Sequence, residues 1–434
     1  MAYTENWIRE DVEDIRLRAK TGYTPVCSFG ARRHLPHFQD IVLLPATLSR
    51  LVVDAHKEPC SAKTVLGARN ARQPLELETP IMIAPMSFGA LSKKAKMALA
   101  KGSAMVGSAH STGEGGMLPE ERELATTLYY QCTPGRYGFN GRDLRRSDCV
   151  EFFLGQGAKP GFGGVLRQKK VTDEIALQRK IPRGIDLFSP CRHCDVLGPD
   201  DLVTKVLEFR EATDWRIPVS FKIGAGRVRE DVKIAVKCGA DIIAIDGMQG
   251  GTGASPKILL DNVGIPTLAA ICQARQALEE IGMEEEIDLV LLGGIRNGAD
   301  VAKALALGAK AVAIGTAAMI ALGCKVCLEC HSDRCPTGIA THDPARLEKL
   351  DVEQGARAVA NLIHAMTEEV MMLTKACGKT DIHNLEREDL RALTTEASAY
   401  TGLPVVGGYV PTITPMQPDP SRNGSGTRDC LTAC

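Results

Sequence analysis

Between residues 80 and 314, eight short apolar runs rich in β-branched residues alternate with amphipathic stretches. Strands interleaved with helices in this way pair side by side as a parallel sheet. The candidate strands are Ile81–Pro85, Ser103–His110, Thr126–Gln131, Val150–Leu154, Val219–Ile223, Asp241–Ile245, Leu289–Leu292 and Val312–Ile314. Helical periodicity appears over Ser92–Lys101, Asp200–Ala212, Val228–Lys237, Leu268–Ile281 and Ala299–Leu307. Eight such units are the count of a (β/α)8 TIM barrel. A doubly wound sheet is the alternative, but its early glycine fingerprint is missing. The link from strand four to strand five, residues 155–216, is long enough to demand an excursion. Residues 1–78 read as an N-terminal arm or cap, 79–345 as the barrel and 346–414 as a helical extension. Its clearest helix is Ala356–Thr374, and 415–434 reads as a flexible tail.

Composition excludes several functions. A net charge of −1 and 4% aromatics do not make a nucleic-acid stacking surface. No apolar run reaches the length of a membrane span, and the first residues carry no apolar signal segment. Fifteen cysteines in 434 residues are too dilute for a disulfide scaffold. Four of them crowd into 324–335, which points to metal ligation in a reduced, cytoplasmic setting.

A TIM barrel carries its chemistry at the C-terminal ends of its strands. Strand one ends Pro85-Met86-Ser87, a turn with little bulk that would admit a flat ring; an ordinary turn is the plain alternative. Strand two runs into Thr112-Gly113-Glu114-Gly115-Gly116, where Glu114 is either catalytic, a gate or a solvated surface group. Strand five contains Lys222 among apolar neighbours. A buried lysine there needs a partner and would suit a negative flavin edge or a substrate carboxylate; a surface position is the alternative. Strands seven and eight end in Gly293-Gly294 and Gly315-Thr316. These fit the phosphate grip that barrels build at those two strands, through backbone N–H groups and a short helix start.

The run Cys324-Lys-Val-Cys327-Leu-Glu-Cys330…Cys335-Pro has iron–sulfur spacing. A structural zinc site is the alternative, made less favourable by the adjoining phosphate grip.

Taken in order, Ala84-Pro-Met-Ser-Phe-Gly89, Thr112–Gly116, Gly135-Arg136-Tyr-Gly138, Gln156-Gly-Ala-Lys159-Pro-Gly161, Gly250-Gly251-Thr-Gly-Ala-Ser-Pro256 and the 323–338 cysteine loop resemble the FMN-binding domain of the glutamate synthase family. The resemblance covers about residues 80–345 and implies a (β/α)8 barrel holding FMN. By position, Pro85, Met86, Ser87, Gln131, Gln156, Lys222 and Gly251 would meet the flavin. Gly293, Gly294, Gly315 and Thr316 would hold its phosphate, and Arg136 and Lys159 would bind substrate carboxylates. Lys222, Glu114 and Gln156 are the candidate catalytic side chains. Cys324, Cys330 and Cys335 match the family's [3Fe-4S] ligands, while the added Cys327 also allows a [4Fe-4S] centre. Cys191 and Cys194 read as plain thiols rather than further ligands.

The chain departs from the family in four ways. Ala2 stands where an N-terminal cysteine nucleophile would, and no β-helical segment follows the barrel. Phe162 replaces a usual glutamate, and Met248-Gln249 replaces a His-Asp pair. These departures imply a stand-alone flavin subunit working with separate amidotransferase-like and β-helix-like subunits and with an electron-donor subunit or ferredoxin. The implied reaction is reductive amination of 2-oxoglutarate by ammonia, through 2-iminoglutarate, to L-glutamate. The rival within the family is the N-methylglutamate synthase type, which exchanges methylamine for the ammonia of glutamate. A non-catalytic electron-transfer subunit is the non-enzyme rival. Hydroxy-acid oxidase and IMP dehydrogenase barrels are disfavoured by the cysteine loop.

Overall fold

In the computed structural model, which describes residues 7–408, all eight candidate runs contribute strands to one sheet. Strands one to eight are Ile81–Ile83, Ala109–Ser111, Thr127–Cys132, Cys149–Phe153, Val219–Gly224, Ile242–Asp246, Asp288–Leu292 and Ala311–Ile314. Their pairings are parallel. The lateral order is one, eight, seven, six, five, four, three, two. The two ends of the sheet are therefore consecutive strands, and it curls into a nearly closed (β/α)8 barrel. At the seam, Ser108 Oγ donates to the Ile81 carbonyl at 2.5 Å.

Strand two is shorter than expected. Ser103 belongs to helix Lys93–Ala104, where its hydroxyl donates to the Ala100 carbonyl. Alanine-rich sequence sustains that helix until Gly107, at φ 61°, turns the chain into the strand. The expected tail, 415–434, lies outside the described residues, as does 409–414 of the helical extension.

Inward-facing Met82, Ala109, Tyr129, Cys149, Ala244, Val290 and Ala311 pack together inside the barrel. The hairpin Thr64–Leu66/Leu75–Leu77 adds Leu66, Leu75 and Leu77 to the same cluster. Gly67 N–H donates to Asp288 and the Asn70 amide to Asp241, both at the starts of strands. The hairpin thus stoppers the N-terminal end, and the opposite end is left for chemistry.

The helix Val352–Ala376 buries Ala356, Val359, Ile363, Met366 and Val370, one stripe at helical spacing. It lies against helices Lys93–Ala104 and Gly298–Ala306. The arm is threaded into the barrel. Val26–Cys27 pairs antiparallel with Ser255–Pro256 in the strand-six loop, and Ile41–Leu43 pairs with Leu390–Ala392. Among the described residues no helix is long and apolar enough to cross a membrane.

Candidate active site

At the C-terminal ends of the strands lies a cavity of about 410 Å³. Its wall includes every residue expected to meet the cofactor: Pro85, Met86, Ser87, Gln131, Gln156, Lys222, Gly251, Gly293, Gly294, Gly315 and Thr316. Strand ends far apart in sequence converge there because barrel closure brings all eight to one rim.

Lys222 is buried, and its Nζ lies 3.1 Å from Asp246 Oδ2 on the neighbouring strand. The interior reading of this lysine therefore holds, with Asp246 as the partner that burial required. Gln131 lies two strands away, on strand three, and its Nε2 donates to Glu151 at 2.8 Å. Burial pushes the Glu151 carboxyl up from its ordinary value, against the lowering pull of the Lys222 ammonium.

Glu114 and Lys159 also line the cavity. Glu114 Oε2 accepts from the Ser189 hydroxyl at 2.9 Å and lies 3.5 Å from the Arg179 guanidinium. Arg179 in turn pins the Phe88 carbonyl. Lys159 Nζ donates to the Ala254 carbonyl at 2.8 Å. Burial pulls its pKa down to about 8, while the Glu114 carboxylate opposes the shift.

Arg136 sits apart from the other candidate residues. It does not line the cavity. Its guanidinium donates to both oxygens of Asp195, at 2.9 and 3.0 Å, and lies over the Phe152 ring. Its guanidinium thus already engages a carboxylate of the chain itself.

Two departures from the family sort differently. Phe162 is 48% exposed at the cavity mouth, as is Phe188 at 62%. Met248 and Gln249 lie outside the lining. Gln249 Nε2 donates to the Pro36 carbonyl, and its Oε1 accepts from Thr267 N–H at 2.8 Å. Gln249 is a brace between arm and barrel.

The glycine cradle fits an anion. Gly293 and Gly294 have φ of 112° and 77°, outside the range of ordinary side chains. Successive backbone N–H groups in such turns form an anion-binding concavity. A Cβ on Gly294 would meet His37 Nε2 at 3.0 Å, and one on Gly251 would meet Thr316 Oγ1 at 2.7 Å. His37 holds the Gly294 carbonyl from behind at 2.9 Å. Apolar Pro85 and Met86, the Gln131 amide, Lys222 and this cradle together suit a flat, hydrogen-bonding ring that carries a phosphate.

The cysteine loop adjoins the same cavity, which Cys330, His331 and Lys170 help to line. Cys335 is buried and Cys324 and Cys330 half-buried, whereas Cys327 is exposed. Burial pushes the Cys335 thiol up, but the Thr337 hydroxyl and backbone N–H groups of Ala340, Thr337 and Ile339 outweigh it and hold it below its ordinary value. The Cys330 thiol, pushed by burial, lies at about 11, with Cys324 and Cys335 near enough to raise it further. Among the described residues no three thiol, imidazole or carboxylate groups are gathered to hold a single metal ion. Cys324, Cys330 and Cys335 are three thiols on one irregular loop. They match the ligand type of an iron–sulfur cluster, with Cys327 apart from the buried side.

Several cavity groups escaped the sequence. Lys170, pulled down to about 8 by burial, donates to the Ala90, Cys330 and Ala340 carbonyls and so ties the excursion to the cysteine loop. It sits in Gln-Lys-Lys, which looks like solvated surface. Asp246 closes an apolar strand just before glycines, and that placement was the available signal. Arg179 and Ser189 lie in the excursion, where periodicity is silent.

Comparison with known proteins agrees with this geometry. The conserved region in glutamate synthase, as a family profile, matches residues 33–380. A glutamate synthase large subunit-like protein of Rhizobium meliloti is 48% identical over 410 residues, covering 91% of this chain and 93% of that protein. An archaeal glutamate synthase [NADPH] of Methanocaldococcus jannaschii is 41% identical over 409 residues, covering 88% and 80%. Among solved structures, a flavocytochrome b2 mutant with benzoylformate has a TM-score of 0.54 at 17% identity, covering 94% of this chain and 87% of that one. A mandelate oxidase mutant with a monooxide FMN adduct has a TM-score of 0.50 at 18% identity, covering 80% and 86%. At such identity the two structures bear on the fold alone.

Proposed function

The chain belongs to the glutamate synthase family, whose members are oxidoreductases, and from that premise we propose that it is a flavin subunit that reductively aminates 2-oxoglutarate to L-glutamate. One observation carries the reading: a single cavity holds the glycine cradle, Lys222, Glu114 and Lys159, and reaches Cys330. Bound FMN would supply hydride chemistry at the imine carbon.

The chain's own groups do the rest. The N–H groups of Gly293, Gly294, Gly315 and Thr316 hold the phosphate, with Gly251 leaving room for it. Pro85, Met86 and Ser87 support one face of the ring, and Gln131, Gln156 and Lys222 meet its polar edges. The Lys222 side chain, 3.1 Å from Asp246, faces ring or substrate and offsets negative charge there. Lys159 binds a substrate carboxylate, and Glu114 holds the ammonium or takes its proton. Phe162 and Phe188 narrow the mouth against water. Cys324, Cys330 and Cys335 would hold an iron–sulfur cluster, which would supply one-electron transfer, with a donor protein as the electron source. Separate amidotransferase-like and β-helix-like subunits and a cytoplasmic setting complete the proposal.

A second reading has its own support. The apolar mouth formed by Phe162 and Phe188 favours methylamine over ammonia, as in N-methylglutamate synthase. The two are separated by reducing the flavin anaerobically and adding 2-oxoglutarate with ammonia or methylamine, while following reoxidation and product mass. Glutamate formed fastest from ammonia supports the first reading; N-methylglutamate formed preferentially replaces it with the second. Protein that takes up no flavin sinks both.

Lys159 gives a pH signature. Its folded pKa is depressed to about 8, so it carries full charge below that value and loses it above. KM for 2-oxoglutarate is expected to be flat below pH 8 and to rise up to about tenfold per unit above it. Lys159→Arg, which stays charged, is expected to flatten the rise. A rise that persists in Lys159→Arg would assign it to another group.

A further inference from the structure

One layer beneath the cavity floor sits a carboxyl group that the proposed chemistry does not use. Glu151 occupies the middle of strand four, in register with Gln131 on strand three and Ser220 on strand five. It is buried, and an acid inside a barrel is unfavourable unless a polar neighbour needs it. Its Oε1 accepts from Gln131 Nε2 at 2.8 Å. Gln131 lines the main cavity and Glu151 does not. Glu151 instead borders a separate void of about 10 Å³ below, with Ser111, Tyr129 and Ser220. That void has room for about one water at most, and the Ser220 hydroxyl facing this region has no protein partner.

We propose that Glu151 is a positioning residue for the flavin: it takes the Gln131 amide N–H from below and thereby turns the Gln131 carbonyl oxygen toward the cavity. A carboxamide has one donor end and one acceptor end. Fixing the donor end downward leaves the acceptor end for the ligand. The inference rests on the flavin reading of the cavity. The pyrimidine edge of a flavin places an N–H between two carbonyls, and an amide oxygen fixed toward that edge pairs with the N–H. A flipped amide would set donor against donor. The carboxyl accepts through Oε1 whether or not Oε2 carries a proton, so the arrangement does not depend on its ionisation.

The test uses flavin affinity, read by quenching of FMN fluorescence as the full-length apoprotein is titrated in. Glu151→Met, which cannot accept, is expected to weaken binding about tenfold, the scale of one misdirected hydrogen bond. Glu151→Gln can still accept through its own carbonyl and is expected to stay within about twofold of the parent. In a Gln131→Met background, Glu151→Met is expected to add nothing, because its effect passes through Gln131. An equal loss in both backgrounds means a general structural role and overturns the proposal, as does parental affinity in Glu151→Met. Should Glu151→Met not fold, Gln131→Met alone must show the tenfold loss, and unchanged affinity there overturns it. Parental apoprotein that binds no FMN overturns the flavin reading itself, an outcome distinct from binding that ignores residue 151.

Discussion

Lys96→Met is expected to lower folding stability by about 3–5 kcal/mol, the cost of removing one partner from a buried ion pair. Lys96 projects from helix Lys93–Ala104 and is wholly buried. Its Nζ donates to the carbonyls of Met86, Ser111 and Thr112 at 2.7, 3.0 and 2.8 Å. The same atom lies 2.7 Å from Glu121 Oε1, which His110 Nε2 also approaches at 2.6 Å. Burial pushes Glu121 up, yet the Lys96 charge and His110 outweigh it and hold the carboxyl below its ordinary range. Methionine fills the volume of the lysine stem but gives nothing to three carbonyls and one carboxylate. Those carbonyls lie at or just beyond the ends of strands one and two, so the Met86-Ser87 rim of the cavity should loosen as well. Denaturant unfolding of the parent, the single variant and Lys96→Met/Glu121→Leu measures the effect. The double variant is expected to recover much of the loss, since it leaves no unpaired charge. A single-variant loss below about 1 kcal/mol would mean that Glu121 finds another partner or protonates.

Gly293→Ala is expected to purify with little or no FMN. At φ 112° this backbone is closed to a residue with a side chain. A Cβ there would also stand 2.5 Å from Thr267 Oγ1 and 3.1 Å from the backbone of Gly247. Thr267 cannot yield freely, because Gln249 accepts from both its N–H and its hydroxyl. The Gly293 peptide must therefore rotate, and the strain of about 1–3 kcal/mol falls on the phosphate grip. Losing one charge-assisted hydrogen bond of about 1.5–3 kcal/mol weakens binding about 10- to 100-fold. Titration of apoprotein with FMN, alongside riboflavin, checks the cause. Riboflavin lacks the phosphate, so its affinity should change far less. Equal losses for both flavins would place Gly293 against the ring and not the phosphate.

Much of this protein was legible in the sequence because it is locally encoded. Alternation of apolar runs with amphipathic stretches depends on neighbours two to four residues away, and it yielded all eight strands in order. Barrel geometry then sends every strand end to one rim, so Pro85-Met86-Ser87, Gly293-Gly294 and Gly315-Thr316 could be expected to line a common cavity. The eight-residue reading of strand two, Ser103–His110, ran too long where a helix and a strand met without a proline or a strong apolar contrast between them. Only the tertiary structure decided which charges pair. Lys222 needed a partner, but the choice of Asp246 follows from the register of strands five and six. Arg136 looked available until the excursion after strand four returned Asp195 to it, and the same excursion brought Ser189, Arg179 and Lys170 to the cavity. Before its helix near residue 200 that segment offers little periodicity to read, since its path is set by what it packs against. The cysteine loop divides the same way: its spacing is local, whereas the burial of Cys335 and the exposure of Cys327 come from how the loop folds back on the barrel. Sequence specified the frame because backbone hydrogen bonding and side-chain periodicity act over short stretches of chain. Tertiary structure alone assigned the electrostatics, because charges interact through space and the barrel sets those distances.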